Sequence, residues 1–172
     1  EVYGVADDDL RCDYALKLFT GGGTDGAERF LNEARALARL DHPNLVRIHA
    51  FGEAAGRPFF VMELLNPLPD VLTAQEARHV VMGVCDALTA LPRAGLVHRD
   101  VKRANVLMRG DVPVLADLGA VKGLGGRVSR VIVGTPGVAA PEQLGGGKIT
   151  AATDIYTLGL FARSLFAGVL PF

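Results

Sequence analysis

The sequence predicts an α+β fold in which a β-rich first third is followed by a mainly helical remainder. Three observations carry this. Apolar and polar residues alternate in EVYGVADDD and RCDYALKLF, and LVRIHAFGE and RPFFVMELL are further strand-like runs. A single helical repeat interrupts them, ERFLNEARALARL, with Phe30, Ala34, Leu37 and Leu40 at helical spacing. From LTAQEARHVVMGVCDALTALPRAG onward the pattern becomes helical.

Taken in order, the first two strands flank an acidic turn, and GGGTDG is a flexible connection. Asp25 is placed to cap the helix that follows, and HPN ends it. Two more strands lead to a change of pattern at Asn66-Pro67, a lobe boundary. Thr73 and Glu76 have capping-box spacing at the start of a helix, and Pro92 kinks or ends its last turn. Short strands are expected at NVLM and PVLAD, then a glycine-rich run to GTPGVAAPEQ, and a final helix beginning near Asp154. GGGTDG and GLGG lack the strand–turn–helix frame and the GK[ST] ending of a phosphate cradle, so both read as connections.

The 172 residues suffice for one sizeable core, and 49% apolar with 22% charged residues describes a globular chain. A formal charge of −1 gives no footprint for nucleic acid or for an anionic membrane. Cys12 and Cys85 form no metal-spaced pair and read as core filler in a reduced, cytoplasmic protein. The apolar tail YTLGLFARSLFAGVLPF is broken by Arg163 and short for a bilayer span, so it is expected as a buried helix and no membrane segment is predicted. Abundant Ala, Gly, Val and Arg with little Lys or Asn point to a GC-rich bacterial source.

Chemistry concentrates in GLVHRDVKRANVLM, residues 95 to 108. His98, Arg99, Asp100, Lys102 and Asn105 follow one another in a short loop between apolar flanks. A solvated loop needs polar residues but not this set. An acid to take a hydroxyl proton, a cation beside it and an amide oxygen for a hard metal ion suit phosphoryl transfer, which asks for positioning and charge stabilisation. His42, His49 and His79 share no ligand spacing and read as structural or exposed.

This loop resembles the catalytic loop of eukaryotic-type serine/threonine protein kinases. Asp117-Leu118-Gly119 follows where that family has its metal-binding triplet, with Leu for the usual Phe. Ala140-Pro141-Glu142 matches its APE element, and Asp154-Ile155-Tyr156 with Leu158-Gly159 resembles its core helix. Ala15-Leu16-Lys17 fits the strand lysine and Glu33 its helix partner. Six elements in family order extend over nearly the whole chain.

The resemblance implies a bilobal kinase-like fold, with an N-lobe and hinge over residues 1–65 and a C-lobe over 66–172. It implies ATP-dependent transfer of a phosphoryl group to Ser and Thr hydroxyls of proteins, with autophosphorylation in trans among the reactions. Asp100 is the expected base, and Lys102 follows the moving phosphoryl group. Asn105 and Asp117 hold Mg²⁺, with Mn²⁺ as a substitute. Lys17, paired with Glu33, clamps the α- and β-phosphates. Val2 and Ala15 line the adenine pocket with Met62 behind it, and Glu63 and Leu65 offer main-chain groups to the base. Thr135 bridges the catalytic Asp and Lys, while His98 packs beneath Asp117 with Leu118, Leu37 and Ile48. Arg99 implies control by a phosphorylated segment, with Ser129 the candidate site.

The matching also implies a domain truncated at both ends, lacking the glycine loop before residue 1 and the helices after 172. Among the latter is the expected arginine partner of Glu142. Leu158, Leu160, Phe161, Leu165 and Phe166 would then be left partly wet, and the chain alone would fold poorly or self-associate. The stretch from Leu64 to Leu72 is short for the family, which leaves Asp70 as the ribose partner to test. The alternatives are a pseudokinase that binds nucleotide as a scaffold and a small-molecule phosphotransferase of related fold, which usually lacks the GTP…APE segment.

Overall fold

In a computed structural model, the described residues are 1–9, 11–20, 24–117, 122–123 and 137–167. The side chains of residues 24, 25, 29, 33, 36, 37, 122 and 123 lie outside that description. Strands β1 (Val2–Asp7), β2 (Cys12–Leu18), β3 (Ile48–Ala54) and β4 (Arg57–Glu63) form an antiparallel sheet in the order β1-β2-β4-β3. The period-2 pattern explains its sidedness: Pro58, Phe60 and Met62 are buried along β4 while their neighbours are only half-buried. Helix α1 (Thr24–Leu37) covers the buried face, with the Phe30 ring 4.9 Å from that of Phe60 and Phe19 at 5.6 Å from Phe30.

The remainder is built on helices α2 (Ala74–Ala90) and α4 (Ala151–Ala167), with the single turn α3 (Pro141–Leu144) between them in sequence. Strands β5 (Asn66–Pro67), β7 (Val106–Arg109) and β8 (Val112–Leu115) form a second antiparallel sheet, and β6 (Leu96–Val97) pairs with β9 (Lys122–Gly123). The capping box closes as expected: Thr73 N–H donates to Glu76 Oε2 at 2.7 Å and Glu76 N–H to Thr73 Oγ1 at 3.2 Å. Helix α2 ends at Ala90, and Pro92 opens a 3₁₀ turn that stops at Gly95, whose φ of 72° suits a residue without Cβ.

The two halves share one core, seamed by the loop before β3. Val46 N–H donates to Leu115 O at 3.1 Å and Leu115 N–H to Asn44 O at 2.8 Å, with Leu45, Val46 and Leu115 all buried. This seam claims Leu45 and Val46, so β3 begins at Ile48 rather than at Leu45. Helix α1 begins at Thr24, which puts Asp25 inside its first turn rather than ahead of it. Helix α4 starts at Ala151, three residues before Asp154. The expected wet face of α4 is corrected as well. Leu158, Leu160 and Phe161 are buried and Leu165 is half-buried, because α2 packs along the helix; Ile155 and Phe166 are the exposed ones. No helix among the described residues is long and apolar enough to cross a membrane.

Helix α2 approaches β8 most closely at Gly83. A Cβ there would stand 2.3 Å from Pro113 Cγ and 2.8 Å from Asn44 Nδ2, the amide that donates to Pro113 O at 2.7 Å. Gly83→Ala therefore has to push the helix off the sheet or break that buried bond, and its better helix propensity does not compensate. The expected loss is about 1–3 kcal/mol, read from the denaturant midpoint at unchanged slope.

Candidate active site

The site grows from a buried acid. Asp154, in the first turn of α4, accepts the backbone N–H of His98 at 2.8 Å and of Arg99 at 2.7 Å. These bonds hold the chain just before Asp100, where Arg99 adopts φ of 75°, a conformation that costs an L-residue roughly 1–2 kcal/mol. Burial pushes the Asp154 carboxyl up against the opposing pull of those two N–H groups. The Arg99 side chain is buried, and its carbonyl accepts Gln143 Nε2 at 2.9 Å. Gln143 Oε1 in turn accepts Ala140 N–H at 2.8 Å, so α3 is tied to the same loop. Glu142 accepts the buried Thr153 hydroxyl at 2.6 Å, a partner within the chain itself.

His98 is fully buried. Its Nδ1 accepts Asp100 N–H at 3.3 Å, which assigns the proton to Nε2, 3.2 Å from Ala116 O. Desolvation holds the imidazole below its ordinary value despite the nearby carboxylates, so it is neutral and structural, and it links the loop to the residue before Asp117. Leu118, expected beside it, lies outside the described residues.

Asp100 then faces its loop partners. Lys102 Nζ is 2.7 Å from Asp100 Oδ2, and Asn105 Nδ2 donates to the Asp100 carbonyl at 2.8 Å and to Oδ2 at 3.1 Å. With its nitrogen committed, Asn105 has its amide oxygen free of that contact. A 3₁₀ turn, Arg103–Asn105, sets this geometry, and Ala116 N–H donates to Asn105 O at 2.8 Å, bringing the two polar segments side by side. Asp117, with φ of 57°, is half-exposed, and Lys17 of β2 reaches it at 2.6 Å while resting over the Phe60 ring.

A cavity of about 150 Å³ collects these groups. Lys17, Asn105 and Asp117 line it with Val2, Val46, Phe60, Met62, Ala104, Leu107 and Ala116. Of the residues expected at the adenine site, Val2 and Met62 are on its wall. Ala15 is buried behind, paired with Met62 in the sheet, and neither Glu63 nor Leu65 has its side chain on the lining. Asp70 is exposed and away from the lining. The Glu33 side chain, Thr135 and Ser129 lie outside the described residues.

Over residues 1–172, the sequence matches the family model described as protein kinase domain. The chain belongs to the protein kinase family. This kinase domain is 36% identical to the serine/threonine-protein kinase PknL of Mycobacterium tuberculosis over 95% of its own length and 45% of the relative's. Against the serine/threonine-protein kinase pkn2 of Myxococcus xanthus it is 35% identical, over 85% of the chain and 20% of the relative. Against PknK of M. tuberculosis the figures are 39%, 78% and 13%. The chain thus spans less than half the length of each of these bacterial relatives.

One contact in the kinase domain has no local signal in the sequence. Glu63, at the end of β4, receives Arg109 of β7 through a two-pronged ion pair, with Nε at 2.7 Å from Oε2 and Nη2 against Oε1, and it also accepts Arg47 N–H at 2.8 Å. Arg109 Nη1 further donates to Pro43 O at 2.9 Å. Burial pushes the Glu63 carboxyl up, but the Arg109 hydrogen bond, the Arg47 N–H and both charges outweigh it, leaving the group below the usual range. The pair contributes stability above the unfolded carboxyl value of about 4.3 and loses it as pH falls through the lower folded value. Denaturant midpoints of the parent and Glu63→Gln should differ at neutral pH and converge as the pH falls below about 4.

Proposed function

We propose that this domain transfers the γ-phosphoryl group of ATP to serine and threonine hydroxyls of proteins, itself included in trans. The observation that carries this is the meeting of Lys17, Asn105 and Asp117 on one cavity, with Asp100 hydrogen-bonded to Asn105 at its edge. In this reading residues 1–65 and 66–172 act as two lobes, with ATP between them and the reaction on the cytoplasmic side. Val2, Ala15 and Met62 enclose the adenine, and the main chain at Glu63 and Leu65 meets its edge. Lys17, partnered by Glu33, binds the α- and β-phosphates, and Thr135 bridges Asp100 and Lys102.

The donor set fits a divalent cation. Asp117 and Asn105 supply one carboxylate and one amide oxygen on the same wall, and the described residues contain no cluster of three or more His, Cys, Asp or Glu side chains forming a cage. Mg²⁺ is characteristically held this way, by one or two side chains with substrate phosphates completing the sphere, and Mn²⁺ fits the same oxygens. When bound, the ion neutralises charge on the phosphate oxygens.

The protein's own part is positional and electrostatic. Asp100 accepts the proton of the attacking hydroxyl as its oxygen forms the new O–P bond. The bond from the γ-phosphorus to the bridging oxygen breaks, and ADP departs with that electron pair. Lys102, beside Asp100, faces the negative charge of the transferring group. Lys17 neutralises the phosphates that stay with ADP.

Transfer of labelled phosphate from ATP to the protein and to Ser- and Thr-bearing acceptors tests this. Asp100→Asn should lower the rate about 10²–10⁴-fold while nucleotide binding persists. Binding of Mg-ATP with no transfer by the parent protein would instead identify a nucleotide-binding scaffold.

A further inference from the structure

A second cavity, of about 580 Å³, opens between the start of α2, the β7–β8 turn and the segment joining β4 to α2. It shares no lining residue with the first. Its apolar floor is made by Leu72, Val80 and Met108, and Pro69 stands on one wall. The ionisable groups among its described lining residues are the carboxylates of Glu76 and Asp111 and the imidazole of His79; none is a lysine or arginine. His79 bonds through Nε2 to the Asp111 carbonyl at 2.9 Å, which leaves the Asp111 side chain exposed at the rim. Arg109, the nearest cation on β7, is drawn to the other side of its strand by Glu63.

Apolar surface continues past the rim. Val71, next to Leu72, is 88% exposed, and Met82, a turn beyond His79 on α2, is 53% exposed. Such side chains on a single-domain surface, beside a cavity with an apolar floor and a carboxylate rim, describe a half-built interface. Its chemistry asks for a large aliphatic side chain to fill the floor and a cation to meet the rim.

We infer that this groove docks a segment of protein substrate in which lysine or arginine precedes large aliphatic residues, at a place separate from the phosphoryl-transfer cavity. A second observation links the two places. Arg103, at the start of the 3₁₀ turn that carries Asn105, donates a guanidinium hydrogen bond to the carbonyl of Pro69, a wall residue of the groove. β5, which carries the lining residues Asn66 and Pro67, also pairs with β7, the strand that leaves Asn105. A docked segment therefore presses on a wall bonded directly to the catalytic loop, and it raises the local concentration of any acceptor tethered to it. The inference names a partner surface for the reaction proposed above and rests on that reading only for its final arm.

The first arm needs no catalysis. A fluorescein-labelled peptide Lys-Arg-Gly-Leu-Ala-Leu and its counterpart Glu-Glu-Gly-Leu-Ala-Leu are titrated with Asp100→Asn protein by anisotropy at low salt. The basic peptide should bind about tenfold tighter or better. Asp111→Lys combined with Glu76→Gln, which keeps the capping box, should reverse that preference toward the acidic peptide. Reversal is a gain that misfolding cannot imitate. Absence of binding, or a charge preference indifferent to these substitutions, overturns the inference. So does sedimentation showing that the protein self-associates and that Asp111→Lys alone abolishes it, because the occupant is then a second copy. In the final arm, the basic–aliphatic segment is joined by a flexible linker to a Ser acceptor. The ratio of KM values without and with the segment should be about ten or more, and fall to about one in the double variant. Equal KM values in the parent overturn the docking role, whereas absence of transfer to either acceptor, with binding intact, strikes only the proposed activity.

Discussion

The carboxylate of Asp154 is the point from which the site is suspended. It is buried beneath the loop and takes two peptide N–H groups in succession, those of His98 and Arg99. Each donor would otherwise be unpaired away from water, at a cost of about 1–3 kcal/mol. The same pair of bonds fixes the left-handed turn at Arg99, so the direction in which Asp100 leaves the core is set from below. Gln143 and His98 repeat this from two other sides, one gripping the Arg99 carbonyl and the other bridging to Ala116. Three elements distant in sequence thus converge on backbone atoms of a few consecutive residues, which frees their side chains for chemistry.

Charge in the site follows from that scaffold. Asp100 and Asp117 are brought near one another by adjacent loop segments, and like charges in one cleft would raise each other's proton affinity. Each is matched instead by a lysine, Lys102 at 2.7 Å and Lys17 at 2.6 Å. The pairs differ in exposure: Asp117 is half open to solvent and Asp100 is 15% exposed. A more exposed carboxylate exchanges a lysine for another cation at small desolvation cost, while a more enclosed one keeps a directed hydrogen-bond geometry. The asymmetry suits one group to metal binding and the other to proton acceptance.

Much of this was legible because it is local. The strand runs, the capping box, the Pro92 break and the spacing of residues 98 to 105 are all short-range patterns, and the structure reproduces them. What escaped was set by partners far along the chain. Gln143 meets Arg99 across 44 positions and Arg109 meets Glu63 across 46, and nothing in either neighbourhood announces the match. Glu63 was read for its backbone, yet its side chain binds the seam. The apolar residues of α4 were read correctly as apolar and wrongly as uncovered, because periodicity tells which face is greasy and not what lies against it. Leu45 and Val46 were assigned to a strand on composition, and the pairing with Leu115 overrode that preference.

The seam also explains why two cavities coexist in so small a chain. Arg109 and Met108 are neighbours on β7 and point to opposite faces: one ties Glu63 and Pro43 together on the sheet side, the other floors the groove. The strand is therefore a partition. Its beginning, Val106, follows Asn105 directly, and its end opens into the Gly110–Asp111 turn at the groove rim. Four residues separate the metal-suited amide from the acidic rim, with Pro69 and Arg103 bracing the span from the other side. An element this short, paired on both edges and packed on both faces, has little room to bend, so a load applied at the groove is carried to the loop as displacement rather than absorbed as local strain.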